Sequence, residues 1–306
     1  RTMTGEVHVI DIGITRKAIE SVGVSENVLT LAEAGKLLPP RTPEGHKGTF
    51  GTVVVLAGAA GYTGAAALTS TSALRTGSGL VVLGVPESLN DLMEIKVTEV
   101  ITRPLPETEA RSLSSAALEP VRELLKTSDA VAIGPGLSRD PGTQALVRSV
   151  VGIMDVPCVI DADGLNALSV EEVGRRTAGA PAVLTPHPGE LSRLTGMSID
   201  RIQKNREAVA RDVAAKTSST VVLKGAASVV ADPGGEVWIN PTGNCGMASG
   251  GTGDVLTGVI ASLLGQGVNA TEAAVLGTYL HGLAGDLAAQ ALGRRGMIAG
   301  DVLDHL

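Results

Sequence analysis

The chain has very few aromatic side chains. Among 306 residues there are one Phe, one Trp and two Tyr, at Phe50, Trp238, Tyr62 and Tyr279. Proteins that track single-stranded nucleic acid stack bases on aromatic platforms beside a basic groove. This sequence offers neither: its net charge is −7 and no basic run exceeds two residues. No nucleic-acid partner is expected. An adenine or nicotinamide ring bound here is expected to pack between aliphatic side chains.

Cysteine is also scarce. Cys158 and Cys245 form no disulfide framework and no CxxC metal pattern, which fits a reducing, cytoplasmic setting. Cys245 has no His and Asp or Asn at a nucleophile's spacing, so it reads as small filler. Uninterrupted apolar runs of membrane-spanning length are missing, as is the charged-then-apolar pattern of a leader. No membrane association is expected.

Apolar residues, by contrast, are plentiful, at 43%, enough for a sizeable core. They fall in short continuous runs, such as Val53–Ala57, Leu80–Val85, Ala130–Gly134, Pro157–Ile160 and Val183–Leu184. Such runs suit strands buried on both faces of a parallel sheet. Helical patterns alternate with them, at 65–76, 205–217 (Ala208, Val209, Val213 and Ala214 on one side) and 271–292. Residues 220–231 read as a hairpin and 237–240 as a further strand. The polar stretch 94–115 reads as variable connection. The fold class is therefore α/β, with six or more strands in a mostly parallel sheet.

The densest punctuation lies between Asn240 and Gly258, where six of nineteen residues are glycine. Glycines there allow positive φ and close approach to a ligand. They lead into the apolar run Val255–Leu264, which reads as a buried helix. A glycine loop before a helix N-terminus presents free N–H groups and the positive dipole end, a site for an anion. Asp254 sits at that point. Two roles are open to it: a helix cap, or a general base facing a hydroxyl that attacks a phosphoryl group.

Other strand ends carry further candidates. Gly58-Ala59-Ala60-Gly61-Tyr62-Thr63-Gly64-Ala65 follows the first buried strand, without the GxGxxG spacing of a dinucleotide fingerprint. Gly134-Pro135-Gly136-Leu137 ends another. Asp161 and Asp163 follow a third; they alternate, so in strand geometry they face opposite ways. One could reach Mg²⁺ through water while the other caps a helix, and spacing does not choose between them. Thr185-Pro186-His187-Pro188-Gly189-Glu190 holds a histidine between two prolines. Tyr279, His281 and Asp286 read as structural residues of their helix.

Together these strings resemble the ribokinase-like superfamily, in the form of the ADP/ATP-dependent NAD(P)H-hydrate dehydratases. The resemblance rests on His46-Lys47-Gly48-x-Phe50-Gly51, the Gly-x-x-Gly-Ala loop, Gly-Pro-Gly-Leu, Thr-Pro-His-Pro-Gly-Glu, Lys224-Gly225 and Gly251-Thr252-Gly253-Asp254, in that order from about His46 to Asp286. Two positions depart from the family pattern: Cys245 stands where proline is more usual and Ser249 where threonine is. The resemblance implies a ribokinase-like α/β/α sandwich. It also implies phosphorylation of a ring hydroxyl on NADHX or NADPHX (the S-form hydrate) by ADP or ATP with Mg²⁺, then loss of phosphate to restore NADH or NADPH. Asp254 would be the catalytic base. Ala65, Gly136, His187 and Asp254 would contact the hydrate. Lys224, Gly225, Ala226, Ala227 and Ser228, with Gly251, Thr252 and Gly253, would contact the nucleotide, and Glu190 would lie near the Mg-phosphate region. The Mg²⁺ ligands are unknown. A homo-oligomer, tetrameric by the same resemblance, is implied. The alternatives are a ribokinase-like kinase of a small alcohol, and a nucleotide-sensing domain without turnover.

Residues 25–306 are expected to form the dehydratase domain. Residues 1–24, with a strand at Val7–Ile14, read either as the end of a preceding hydrate epimerase domain or as an ordinary N-terminal edge strand.

Overall fold

The computed structural model describes residues 8, 10–175 and 179–306. Its strands are β1 (Glu26–Asn27), β2 (Thr52–Leu56), β3 (Leu80–Pro86), β4 (Ile101–Leu105), β5 (Ala130–Ile133), β6 (Cys158–Ile160), β7 (Ala182–Leu184), β8 (Thr220–Leu223), β9 (Val229–Ala231) and β10 (Val237–Ile239). They form one sheet in the order β1-β10-β9-β8-β7-β6-β5-β2-β3-β4. Neighbours run parallel except at β8–β9 and β9–β10. The expected hairpin is the antiparallel β8–β9 pair, with Val221 opposite Ala231 and Leu223 opposite Val229.

Alternation along the strands divides the core. In β2, Val53 and Val55 enter one apolar cluster while Val54 and Leu56 enter the other. The first cluster is roofed by the helices Thr63–Arg75, Thr252–Gly265 and Ala270–Leu292, the second by Leu118–Leu125, Pro141–Ile153 and Arg206–Thr217. This is the expected mostly parallel α/β/α sandwich. The Thr252–Gly265 helix is buried from Val255 onward, as a helix apolar on every face should be. It lies directly on the Thr63–Arg75 helix, and any Cβ at Gly258 would overlap Ser72 Oγ and the Thr69 carbonyl.

Some expectations need correction. Residues 10–14 form no strand; their backbone is irregular and exposed, and a helix follows at Arg16–Val22. Ile10, Ile12 and Ile14 have no partner strand among the described residues, and alternation without a partner does not make a sheet. Val7 and Val9, in the same expected strand, lie outside the described residues. The stretch 94–115 is not all connection. It completes the Asn90–Lys96 helix and supplies β4, which pairs with β3. Its signal was masked because β4 is an edge strand, with Arg103 exposed and Pro104 tolerated where no further strand pairs. On the Arg206–Thr217 helix the inward face is Val209, Ala210, Val213, Ala214 and Thr217, and Ala208 is exposed.

Parallel strands place their C-terminal ends along one rim. Backbone bonds stitch that rim together: Gly58 N to Pro135 O (2.9 Å), Asp161 N to Ile133 O (3.1 Å), Thr185 N to Ile160 O (3.2 Å) and Lys224 N to Pro186 O (2.9 Å). The candidate residues read from separate strings therefore arrive side by side.

Candidate active site

The glycine-rich segment hangs from the Ala270–Leu292 helix. Asn244 Nδ2 donates to Gly285 O (2.9 Å) and to Asp286 (3.0 Å), while Gly243 N donates to Asp286 Oδ2 (2.9 Å). Thr242 Oγ1 donates to Tyr279 O (2.9 Å). Gly282 and Gly285 give that helix a bare side, since a Cβ on either would strike Thr242 or Met247. Asp286 is thus a tether for the loop, in line with a structural reading.

Gly251 is the N-cap of the Thr252–Gly265 helix, at φ 94°, and no side chain caps the helix. Val255 N makes the first intrahelical bond, to Gly251 O. The N–H groups of Thr252, Gly253 and Asp254 therefore point out of the helix end without intrahelical partners. The Thr252 hydroxyl is spent on Met247 O (2.9 Å) and Ser249 O (3.0 Å), which shapes the loop. At Thr252 the backbone, not the side chain, is available to an anion.

Asp254 lies within the first turn and is not the cap, which removes one of its two sequence readings. Burial, and next the negative charge of Asp161, push its carboxyl from 3.8 up to about 7, against the pull of the Lys224 ammonium. A carboxylate that releases its proton near neutral pH suits a general base.

Asp161 is almost fully buried, at 1% exposure. Its Oδ1 accepts from Lys224 Nζ (2.6 Å) and its Oδ2 from Thr257 Oγ1 (2.6 Å). The alternation problem with Asp163 is resolved by Ala162, at φ 48°, which turns the chain into a short helix. Asp163 then accepts from Ser138 N (2.9 Å) and Asn166 Nδ2 (3.0 Å), holding the segment after Gly136. Ser138 and Ala227 also have positive φ, at 74° and 52°. Strained non-glycine backbone gathering at a strand-end rim is typical of functional sites.

Lys224 joins the two halves of the expected nucleotide site. Its Nζ is 2.6 Å from Asp161 Oδ1 and 3.7 Å from Glu190 Oε2, and 3.3 Å from where a Gly253 Cβ would stand. The turn beyond it is closed internally, Ser228 Oγ accepting from Gly225 N (3.3 Å) and donating to Gly225 O (3.1 Å). Gly225, Ala226 and Ala227 remain exposed. Arg206, not singled out in the sequence, backs this turn by donating to Leu223 O (2.9 Å).

His187 is the cap of the Pro188–Thr195 helix. Its Nδ1 accepts from Gly189 N (2.9 Å) and Glu190 N (3.3 Å), so the proton of the neutral ring is on Nε2, 3.3 Å from Glu190 Oε1. Desolvation holds its pKa below the usual histidine value despite Glu190. Glu190 Oε2 in turn accepts from His187 N (2.8 Å).

Ala65 and Gly136 meet on the other side of the rim. A Cβ on Gly136, at φ 63°, would lie 3.0 Å from Ala65 Cβ and 2.8 Å from Tyr62 Cβ. Leu68, one turn past Ala65, reaches Gly251, whose Cβ would be 2.6 Å from Leu68 Cδ1 and 4.0 Å from Asp254 Oδ2. Sequence reasoning missed Thr257, Tyr62 and Leu68. The spacing of Thr257 three residues after Asp254, on one helix face, was the available signal.

Among the described residues, no three His, Cys, Asp or Glu side chains gather as a metal cage. Magnesium bound to phosphates needs only one or two carboxylates besides water. Asp161 and Glu190 converge on Lys224, but Asp161 is buried with both oxygens already accepting hydrogen bonds, so it could meet such an ion only through water. No described helix is long and apolar enough to cross a membrane.

The α/β/α sandwich with an uncapped, glycine-led helix at its ligand rim defines the ribokinase-like class. A solved ribokinase-like superfamily protein from Enterococcus faecalis matches it with TM-score 0.78 and 25% identity, over 92% of this chain and 93% of that one. More narrowly, the profile of the NAD(P)H-hydrate dehydratase family matches residues 53–306, and the chain belongs to that family. The ADP-dependent (S)-NAD(P)H-hydrate dehydratase of Bacillus subtilis is 39% identical over 251 residues, 82% of this chain and 85% of that protein. A crystal structure of the ADP/ATP-dependent enzyme from Bacillus subtilis, co-crystallised with ATP/Mg²⁺, matches with TM-score 0.80 and 34% identity, over 91% of this chain and 95% of that one. The bifunctional NAD(P)H-hydrate repair enzyme Nnr of Moorella thermoacetica is 48% identical over 305 residues. That match takes in 100% of this chain but 58% of that protein, so the chain spans little more than half the length of such relatives.

Proposed function

We propose that the chain carries out nicotinamide cofactor repair: ADP- or ATP-dependent dehydration of the S-form of NADHX or NADPHX to NADH or NADPH. The observation that supports this most directly is Asp254. Burial pushes its carboxyl up to about 7, at the head of a helix whose first N–H groups have no intrahelical partner. In this reading Asp254 takes the proton of the ring hydroxyl as that oxygen attacks the terminal phosphoryl group. The backbone N–H groups from Gly251 to Gly253 receive the charge that develops on the transferring oxygens, oriented before the reaction begins. The nucleotide leaves one phosphate shorter. Phosphate then departs with the C–O bonding pair, and a proton lost from the adjacent carbon restores the ring double bond.

Ala65, Gly136 and His187 are assigned with Asp254 to the hydrate. Lys224 to Ser228 and Gly251 to Gly253 are assigned to the nucleotide, with Lys224 spanning from the Asp161 carboxylate toward the phosphates. Mg²⁺, met by Asp161 through water beside Glu190, would supply charge neutralisation on the phosphates. Residues 25–306 form the proposed dehydratase unit, assembling as a homo-oligomer.

The test is incubation with NADPH hydrate, Mg²⁺ and either ADP or ATP, following dihydronicotinamide absorbance and released phosphate together. Recovery of both in equal amounts is expected. A stable phosphate ester without recovery would favour a kinase of a small alcohol. Nucleotide binding with no turnover of any kind would favour a sensing domain.

A further inference from the structure

The four aromatic side chains are not equivalent. Tyr279 is buried, Trp238 is half-buried against the core, and Phe50 lies under the Arg41 guanidinium at 4.2 Å. Tyr62 alone stands out at 58% exposure, and its hydroxyl has no hydrogen-bond partner among the described residues. The backbone beneath it is firmly set: Tyr62 N donates to Ala59 O (2.9 Å) and Ala65 N to Tyr62 O (3.1 Å). The glycines beside it, Gly61 and Gly64, face open space. An exposed ring on a fixed backbone with clear approaches on both sides is not explained by packing.

Its position gives it a use. We propose that Tyr62 is the platform against which the hydrated nicotinamide ring rests, a specificity-determining substrate contact; this rests on the function proposed above. Ala65 and Leu68 follow one another at three-residue spacing along the Thr63–Arg75 helix, and Tyr62 is the residue that caps its start. Tyr62 and Ala65 close over Gly136, and Leu68 closes over Gly251 beside Asp254. From Tyr62 the backbone rises past Ala65 to Leu68, roughly 9 Å further along the helix axis, where Leu68 meets Gly251 beside the Asp254 carboxylate. A ring face is also the feature that the two substrates, NADHX and NADPHX, and their two products have in common at this end.

Gly136 acquires a second reason to be glycine. A side chain there would displace Tyr62 and Ala65 from their positions as well as crowd a ligand.

The experiment compares wild type with Tyr62→Phe, Tyr62→Leu and Tyr62→Ala. Initial rates are measured with hydrate varied at saturating nucleotide, then with nucleotide varied at saturating hydrate. Deleting one ring-on-aromatic stack should raise the hydrate KM by roughly 5- to 100-fold. The Ala and Leu variants should both show this, with kcat within about threefold and nucleotide KM unchanged. Tyr62→Phe should match wild type, because the ring and not the hydroxyl carries the contact. Should the Ala variant fold poorly, the Leu variant carries the same comparison with the bulk retained.

An unchanged hydrate KM in Ala and Leu variants overturns the assignment, as does an increase confined to nucleotide KM. A parallel titration with NADPH, read by its own fluorescence, separates this inference from the function. Should wild type bind NADPH through Tyr62 but never dehydrate the hydrate, the platform stands and the reaction falls. If wild type neither turns over hydrate nor binds NADPH, both fall.

Discussion

Replacing Asp254 by Asn should cut turnover by orders of magnitude while making the protein more stable, and increasingly so as pH rises toward the range where the wild-type enzyme works. In the folded chain the Asp254 carboxyl holds its proton up to about 7, against 3.8 ordinarily. Below about pH 4 folded and unfolded chains are both protonated there, and the buried site imposes little penalty. As pH rises the unfolded chain ionises freely and the folded chain resists, so folding free energy drains away until about pH 7 and is level above it. At about 1.4 kcal/mol per pH unit, the full cost is on the order of 4 kcal/mol at pH 8 and about 2 kcal/mol at pH 5. Asparagine, neutral and nearly the same shape, escapes it. For a chain of 306 residues, a gain of 1 kcal/mol raises Tm by roughly 1.5 °C. The variant should therefore melt roughly 6 °C higher than wild type at pH 8 and roughly 3 °C higher at pH 5. Its turnover should fall by about two to four orders of magnitude, the usual loss for a general base. Calorimetric scans at the two pH values, beside one hydrate assay, check all of this. An Asn variant with no larger Tm advantage at pH 8 than at pH 5 would show that the carboxyl is not held protonated by its site. A variant with full turnover would remove Asp254 from the proton transfer.

Further expectations concern its neighbours. Wild-type kcat should fall as pH drops through about 7, and Lys224→Met should move that fall to higher pH, since the ammonium favours the Asp254 carboxylate; an unmoved profile counts against the coupling. The same variant leaves Asp161 buried without its cation and should lose about 3–5 kcal/mol in denaturant titration. Gly258→Ala, whose Cβ would overlap Ser72 and Thr69, should lower stability by about 3 kcal/mol through forced separation of two helices. A urea midpoint within error of wild type would refute that packing. Cys245→Pro places proline, the residue the family resemblance leads one to expect, at a position whose predecessor Asn244 is extended at φ −142° and ψ 173°. It should be neutral or stabilising by about 0.5 kcal/mol with activity kept, and a tenfold loss of turnover would argue that the loop needs Cys245.

The sequence by itself determined the class of fold and the place of the glycine-led helix start that no side chain caps. Continuous apolar runs such as Val53–Ala57 can only be buried on both faces, and a run of glycines ahead of an apolar helix has few other uses. Local patterns of this kind survive folding because backbone geometry enforces them residue by residue. The sequence misled where sense depends on neighbours. Alternation at Ile10–Ile14 found no strand to pair with, while β4 was hidden by polar and proline residues that an edge accepts. Nor could spacing decide between Asp161 and Asp163, because the outcome turned on a single positive φ at Ala162. Only the tertiary structure brought Asp161, Glu190, Lys224 and the Asp254–Thr257 helix turn, drawn from four separate segments, into one electrostatic cluster. The Asp254 carboxyl is raised by desolvation and by charges distant in the chain, quantities with no local signature. The same holds for Tyr62, one aromatic among four until the fold buried or covered the other three.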